Sequence, residues 1–180
     1  REFFEMCKNK MNPGGILSFT VTSSENYISA ELQQFLSSIH QTTLQVFHDV
    51  KVVPGENNVY LASDVAGSLS LDHNLLVGRL VERDMEERVV FVREYYLPFR
   101  LSEERLQNLS AALASGNSRI NTDLSPVCYF YDAVLWSKQF KDISSRFLAV
   151  SAKISPGILL FTVAALFLAA AFTQRIFPKA

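Results

Sequence analysis

The chain has 180 residues, of which 48% are hydrophobic and 19% charged, and its formal net charge at pH 7 is −1. A near-neutral chain without a basic stretch argues against nucleic-acid binding, so no nucleic-acid partner is expected. The two cysteines, Cys7 and Cys128, lack the spacing of metal ligands and indicate free thiols in a reducing compartment. No metal site is predicted.

The first three predicted elements are a helix, a strand and a second helix. Residues 1–11 carry apolar side chains at helical spacing with no methionine or cap before them, so we expect the chain to be the tail portion of a longer polypeptide. The Asn-Pro-Gly-Gly stretch at 12–15 ends this helix, and Ile16–Val21 is apolar enough for a buried strand. Ser29 is the predicted cap of a helix over 30–47.

The next two segments predict a pair of antiparallel strands. Asp49–Val53 and Val59–Ala62 are short and β-rich, and the polar turn between them contains Pro54 and Gly55. Strands that alternate with helices are typical of a mostly parallel sheet covered by helices, here with an antiparallel edge. The predicted class is therefore α/β.

The second half of the soluble part is predicted to be mainly helical. Helices are expected over 71–83 and 102–115, with a short strand at Val89–Val92 between them. A polar loop over 121–126 then leads into an aromatic helix over 127–147.

The run Ile154–Phe172 contains 19 residues without a charge, which is close to the roughly 20 apolar residues that cross a bilayer. We therefore predict an α/β domain over 1–150 and a transmembrane helix over 154–173. A buried core helix, or a helix docked on a partner, is the alternative. The alanines in the segment favour packing against other transmembrane helices or subunits. More Lys and Arg precede the run than follow it, which predicts a single span in the inner or cytoplasmic membrane and a cytoplasmic soluble domain.

The sequence contains no Gly-rich phosphate loop, zinc-protease motif or nucleophile elbow. His40 and His48 lie eight residues apart and are interpreted as solvated or packing side chains. The polar loop around Asn121 and Asp123 precedes a cluster of aromatic residues and is a candidate site for an amine-bearing ligand. The alternative is that Asp123 or Ser125 only caps the following helix.

Several short strings, taken in order, resemble one family. The strings are REFF at 1–4, NPGGI at 12–16, SENY at 24–27, VPG at 53–55, YLASD at 60–64, NTD at 121–123 and Pro126. In this order and spacing they resemble the C-terminal half of the spermidine-synthase-like domain of membrane-integrated polyamine aminopropyltransferase homologues, over roughly residues 1–150.

The resemblance implies the C-terminal part of a Rossmann-like, class I methyltransferase-type fold, followed by a transmembrane helix. It also implies transfer of an aminopropyl group from decarboxylated S-adenosylmethionine, as co-substrate, to a polyamine. The family's catalytic segment lies upstream of residue 1, and Thr20 stands where the family strand has a glutamine, so no residue here is assigned as catalytic and no cofactor is assigned to this chain. The expected substrate-binding residues are Ser24, Glu25, Asn26, Tyr27, Asn121 and Asp123.

Two functions remain open at this point. The chain is expected to be a fragment of a membrane-bound aminopropyltransferase-type protein whose catalytic half lies elsewhere. The alternative is a non-enzymatic accessory or anchoring subunit of a larger membrane protein complex, since fold alone does not fix function.

Overall fold

A computed structural model describes residues 1–25, 27–85, 88, 95–115, 119–138 and 157. The chain divides into two compact units, Arg1–Tyr131 and Asp132–Ala180. The described helices and strands are α1 (Glu2–Lys10), β1 (Ile16–Thr22), α2 (Ala30–Leu44), β2 (Asp49–Val53), β3 (Asn57–Ser63), α3 (His73–Glu82), α4 (Tyr96–Arg100), α5 (Glu103–Ser115) and α6 (Val127–Lys138).

The described strands form one antiparallel sheet in the order β1-β3-β2. Strand β3 pairs with β1 from Ile16↔Ser63 to Thr22↔Asn57, and it pairs with β2 from Asp49↔Ser63 to Val53↔Val59. The predicted hairpin between β2 and β3 is confirmed, with a shorter connection than expected, because β3 already begins at Asn57.

The expected mostly parallel, Rossmann-like sheet is wrong for the described residues. Strand β1 precedes α2 in the chain and β2 follows it. The two strands run in the same direction, as the alternation of elements suggested. However, β3 lies between them and is antiparallel to both, so neither of its ladders is parallel. The predicted strand Val89–Val92 lies outside the described residues.

The prediction of a membrane span is also contradicted. In the part of the chain that the structure describes, no helix has the length and apolar character needed to cross a membrane. This finding overturns the predicted single span and the inner or cytoplasmic membrane localisation inferred from it. The predicted segment itself, Ile154–Phe172, lies outside the described residues except for Gly157.

Local sequence signals account for the starts of helices α2 and α3. The side chain of Ser29 accepts the Leu32 N–H at 3.3 Å, as predicted for the start of α2, and Asp72 accepts the Asn74 N–H at 2.9 Å at the start of α3. Helix α4 was not predicted. It has five residues and contains Pro98, which is tolerated in a first helical turn.

The core lies between one face of the sheet and helix α2. Tyr60, on the central strand, is fully buried, stacks on Phe19 of β1 with ring centroids 5.0 Å apart, and donates its hydroxyl to the Leu36 carbonyl at 3.2 Å. Burial raises the pKa of Tyr60 and keeps the phenol neutral. Helix α2 also buries hydroxyl side chains; Ser37 donates to the Leu113 carbonyl of α5 at 2.6 Å and so joins the two helices.

Candidate functional site

Four of the predicted site residues lie in the loop after β1. This loop is hydrogen-bonded to the β2–β3 turn. The Ser23 N–H donates to the Glu56 carbonyl at 2.6 Å, and the Ser24 hydroxyl accepts the Tyr27 N–H at 3.4 Å. Asn26 lies outside the described residues, and the Tyr27 side chain is exposed. Of the three loop residues that the structure describes, Glu25 makes the long-range contacts.

The Glu25 carboxylate bridges two arginines from distant parts of the chain. Its Oε1 lies 3.4 Å from Arg100 Nη1 and 3.3 Å from Arg105 Nη1, and its Oε2 lies 3.5 Å from Arg105 Nη2. The hydrogen bond from Arg105, together with the charges of both guanidinium groups, lowers the pKa of Glu25. Glu25 is therefore an ionised acceptor and a weak base at neutral pH.

This arrangement leaves the two arginines incompletely satisfied. One carboxylate neutralises one of two guanidinium charges, and its contacts are longer than the 2.7–2.9 Å usual between charged hydrogen-bonding groups. The Arg100 Nε is also buried, with no hydrogen-bond partner among the described residues. Counting only the residues that the structure describes, the pair retains both a surplus positive charge and unused donors.

Aromatic rings hold the guanidinium groups in place. The Arg105 guanidinium lies over the Phe99 ring, 4.4 Å from its centroid, and that of Arg100 lies 5.7 Å from the centroid of Tyr96. The Phe99 side chain is itself 60% exposed. We refer to Glu25, Phe99, Arg100 and Arg105 as the arginine-pair site.

A glycine in the β2–β3 turn makes room for Arg100. A Cβ atom at Gly55 would overlap the Arg100 guanidinium, so a side chain at this position would displace that guanidinium. The Gly55 N–H is bound by the Asn58 side-chain oxygen at 3.0 Å, which fixes the turn beneath the arginine. The turn thus anchors both the β1 loop, through Glu56, and one guanidinium group.

The other two predicted residues occupy a different part of the fold. The Asn121 side-chain oxygen accepts the Cys128 N–H at 3.0 Å in the first turn of α6, and the Asn121 N–H donates to Thr42 Oγ1 of α2 at 2.9 Å. The backbone of Asp123 donates to Glu2 Oε2 at 3.1 Å, while its own side chain is exposed. Asn121 therefore joins α6 to α2, and substrate binding by either residue stays a prediction.

The histidines lie apart from the arginine-pair site. Burial lowers the pKa of His40, which lines an apolar cavity of about 480 Å³ between α2, β2 and α5. His48 Nδ1 and Lys8 Nζ each lie 2.6 Å from Asp64 Oδ1, and the hydrogen bonds from Lys8 and His48 lower the pKa of Asp64. Among the described residues no group of acidic, cysteine and histidine side chains is arranged to hold a metal ion.

Sequence reasoning identified Glu25 but missed both arginines. Arg105 falls within the predicted helix over 102–115, and Arg100 lies 75 residues from Glu25 along the chain. The available signal was the segment from Tyr95 to Arg105, where two tyrosines, a phenylalanine and two arginines fall within eleven residues. Arginine and aromatic side chains are enriched at binding surfaces, so their density would have marked the segment.

No protein-family model matches the chain, and no curated protein matches it significantly. The resemblance to the aminopropyltransferase group therefore rests on the short strings alone and stays a prediction.

Proposed function

We propose that this chain is a non-enzymatic interaction module that binds an acidic side chain of a partner protein at the arginine-pair site. The observation that carries the proposal is one carboxylate shared by two partly buried guanidinium groups beside an exposed phenylalanine.

The contacts of Glu25 support a carboxylate as the bound group. Glu25 is itself a protein carboxylate, so its position illustrates how such a group can meet both arginines. Guanidinium groups present planar, paired donors that match a carboxylate. Since the pair keeps a surplus positive charge, a second carboxylate is attracted, either beside Glu25 or in its place.

The aromatic surroundings support a protein as the source of that carboxylate. Phe99 and Tyr95 are both largely exposed on or next to α4. Aromatic and arginine side chains dominate the energetics of protein interfaces, because they bury a large area with few rotatable bonds. The expected partner segment carries an acidic residue next to an apolar one.

The positive charges of Arg100 and Arg105 argue that the site binds a ligand rather than transfers a proton. Catalysis by a general base at neutral pH favours a group whose pKa lies near 7, whereas the arginines lower the pKa of Glu25. Glu25 is also neutralised by two cations, so it offers little attraction to a cationic polyamine. The aminopropyltransferase function, with decarboxylated S-adenosylmethionine as co-substrate, remains an untested prediction, and binding of an S-adenosyl compound would test it.

The proposal can be tested with a pair of short peptides. The probes are acetyl-Glu-Phe-Glu-amide and its uncharged counterpart acetyl-Gln-Phe-Gln-amide, titrated while the arginine Nε–H signals are followed by NMR. We expect the acidic peptide to shift the signals of Arg100 and Arg105, and the glutamine peptide to leave them unchanged.

Two variants make the test specific to the site. Arg105→Ala removes a guanidinium that makes two contacts to Glu25, and a charge-assisted hydrogen bond contributes about 1.5–3 kcal/mol. We therefore expect roughly a 10- to 100-fold loss of affinity for the acidic peptide. Arg79→Ala removes the same charge from the exposed surface of α3 and is the matched control. Equal binding of the two peptides, or an equal loss in the two variants, would reject the proposal.

A further inference from the structure

The bridging position between the two guanidinium groups of the arginine-pair site is occupied by a single oxygen of Glu25. This oxygen, Oε1, lies 3.4 Å from Arg100 Nη1 and 3.3 Å from Arg105 Nη1. A partner's carboxylate that contacts both arginines must place an oxygen within reach of the same two donors. Two oxygens there would lie in close contact and would both be negatively charged, so they repel each other.

The other sides of the guanidinium groups are largely covered. Phe99 lies against the Arg105 guanidinium, and Gly55 approaches Arg100 so closely that a Cβ atom there would overlap it. The side chains of Arg100 and Arg105 are 16% and 25% exposed, and the Arg100 Nε is buried. A partner's carboxylate therefore finds little guanidinium surface while Glu25 stays in place.

We infer that Glu25 is a built-in competitor, and that a partner's carboxylate binds the arginine pair by displacing the Glu25 side chain rather than by joining it. This inference rests on the proposed function and specifies how the same site is regulated. Glu25 occupies the arginine pair until an acidic segment replaces it. The exchange preserves the local charge balance, because one carboxylate takes the place of another.

The displacement requires movement of the Glu25 side chain and not of the loop that carries it. The Ser23 N–H donates to the Glu56 carbonyl at 2.6 Å, which holds the loop on the β2–β3 turn. The Glu25 side chain is 26% exposed, so rotation about its single bonds brings the carboxylate into water. Its contacts with the arginines, at 3.3–3.5 Å, are longer than is usual between charged groups, which makes them easier to break.

The first test compares the unmodified 180-residue chain with Glu25→Gln, using acetyl-Glu-Phe-Glu-amide as the probe. Glutamine has nearly the same size but no charge, so it competes less for the arginines. A competitor held about as strongly as a weak charge-assisted hydrogen bond lowers the apparent affinity roughly tenfold. We therefore expect Glu25→Gln to bind the probe about tenfold more tightly than the unmodified chain.

Glu104→Gln is the matched control. It removes the same charge from an exposed residue that directly precedes Arg105 in the sequence. Since exposed charges contribute little, its affinity for the probe should stay within about twofold of that of the unmodified chain.

A second measurement separates displacement from simple charge repulsion. The ¹³C signal of the Glu25 side-chain carboxylate is followed by NMR at neutral pH while unlabelled probe is added. A displaced carboxylate loses both guanidinium partners, so its signal should move toward that of the exposed Glu104. A carboxylate that remains between the arginines should keep a signal distinct from that of Glu104.

Three results would overturn the inference while leaving the proposed function intact. One is that the probe shifts the arginine signals but leaves the Glu25 carboxylate signal in place. Another is that Glu25→Gln binds the probe no more tightly than the unmodified chain. The third is an equal gain in Glu25→Gln and Glu104→Gln, which would attribute the gain to net charge. If neither the unmodified chain nor the variants bind the probe, the proposed function fails and the inference fails with it.

Discussion

Replacing Asn121 with alanine tests whether this predicted ligand-binding residue is instead structural. The substitution removes the oxygen that accepts the Cys128 N–H at 3.0 Å but leaves the backbone N–H that donates to Thr42 at 2.9 Å. One of the free N–H groups in the first turn of α6 thereby loses its partner. Loss of a side-chain acceptor at a helix N-terminus costs about 0.5–2 kcal/mol.

The measurement is urea unfolding followed by circular dichroism. A loss of about 1 kcal/mol, with a slope of roughly 1–3 kcal/mol per molar urea, lowers the midpoint by about 0.3–1 M without changing the slope. Asn121→Asp keeps an acceptor oxygen and places a negative charge at the positive end of the helix, so it should retain most of the stability.

Asp123→Ala is the matched control, because the exposed Asp123 takes part in the described contacts through its backbone N–H. It should leave the urea midpoint unchanged. If Asn121→Ala and Asp123→Ala have the same midpoint as the unmodified chain, the structural role of Asn121 is refuted, and a ligand-binding role becomes the better explanation.

Three further predictions concern the β2–β3 turn, the loss of stability at acidic pH, and the core. Gly55→Ala, whose Cβ would overlap the Arg100 guanidinium, should weaken binding of the acidic tripeptide in the NMR titration while the circular dichroism spectrum stays unchanged. The pKa of Asp64 in the folded chain is lowered from 3.8. The ionised carboxylate therefore stabilises the fold above that pH, and this stabilisation is lost as the pH falls through the lowered pKa. Asp64→Asn should reduce this loss of stability at acidic pH when unfolding is measured as a function of pH. Leu36→Ala removes a fully buried side chain and should cost about 2–5 kcal/mol in urea unfolding, and a loss under 1 kcal/mol would contradict the described core.

Sequence patterns predicted individual elements better than their pairing. The Asn-Pro-Gly-Gly stop after α1 and the Ser29 cap of α2 are local signals, and the elements they bound are found close to the predicted positions. Which strand lies beside β1 is not a local property. The same alternation of strands and helices is compatible with β2 or with the hairpin strand β3 as the neighbour of β1. In this structure the neighbour is β3.

The candidate site shows the same division between local and distant information. Glu25 follows a strand, and a polar loop in that position is a reasonable candidate from sequence alone. Its partners lie 75 and 80 residues away, and no periodicity connects them to Glu25. The role of Asn121 was likewise hidden, because its partners are a buried threonine of α2 and the first turn of the helix that follows it.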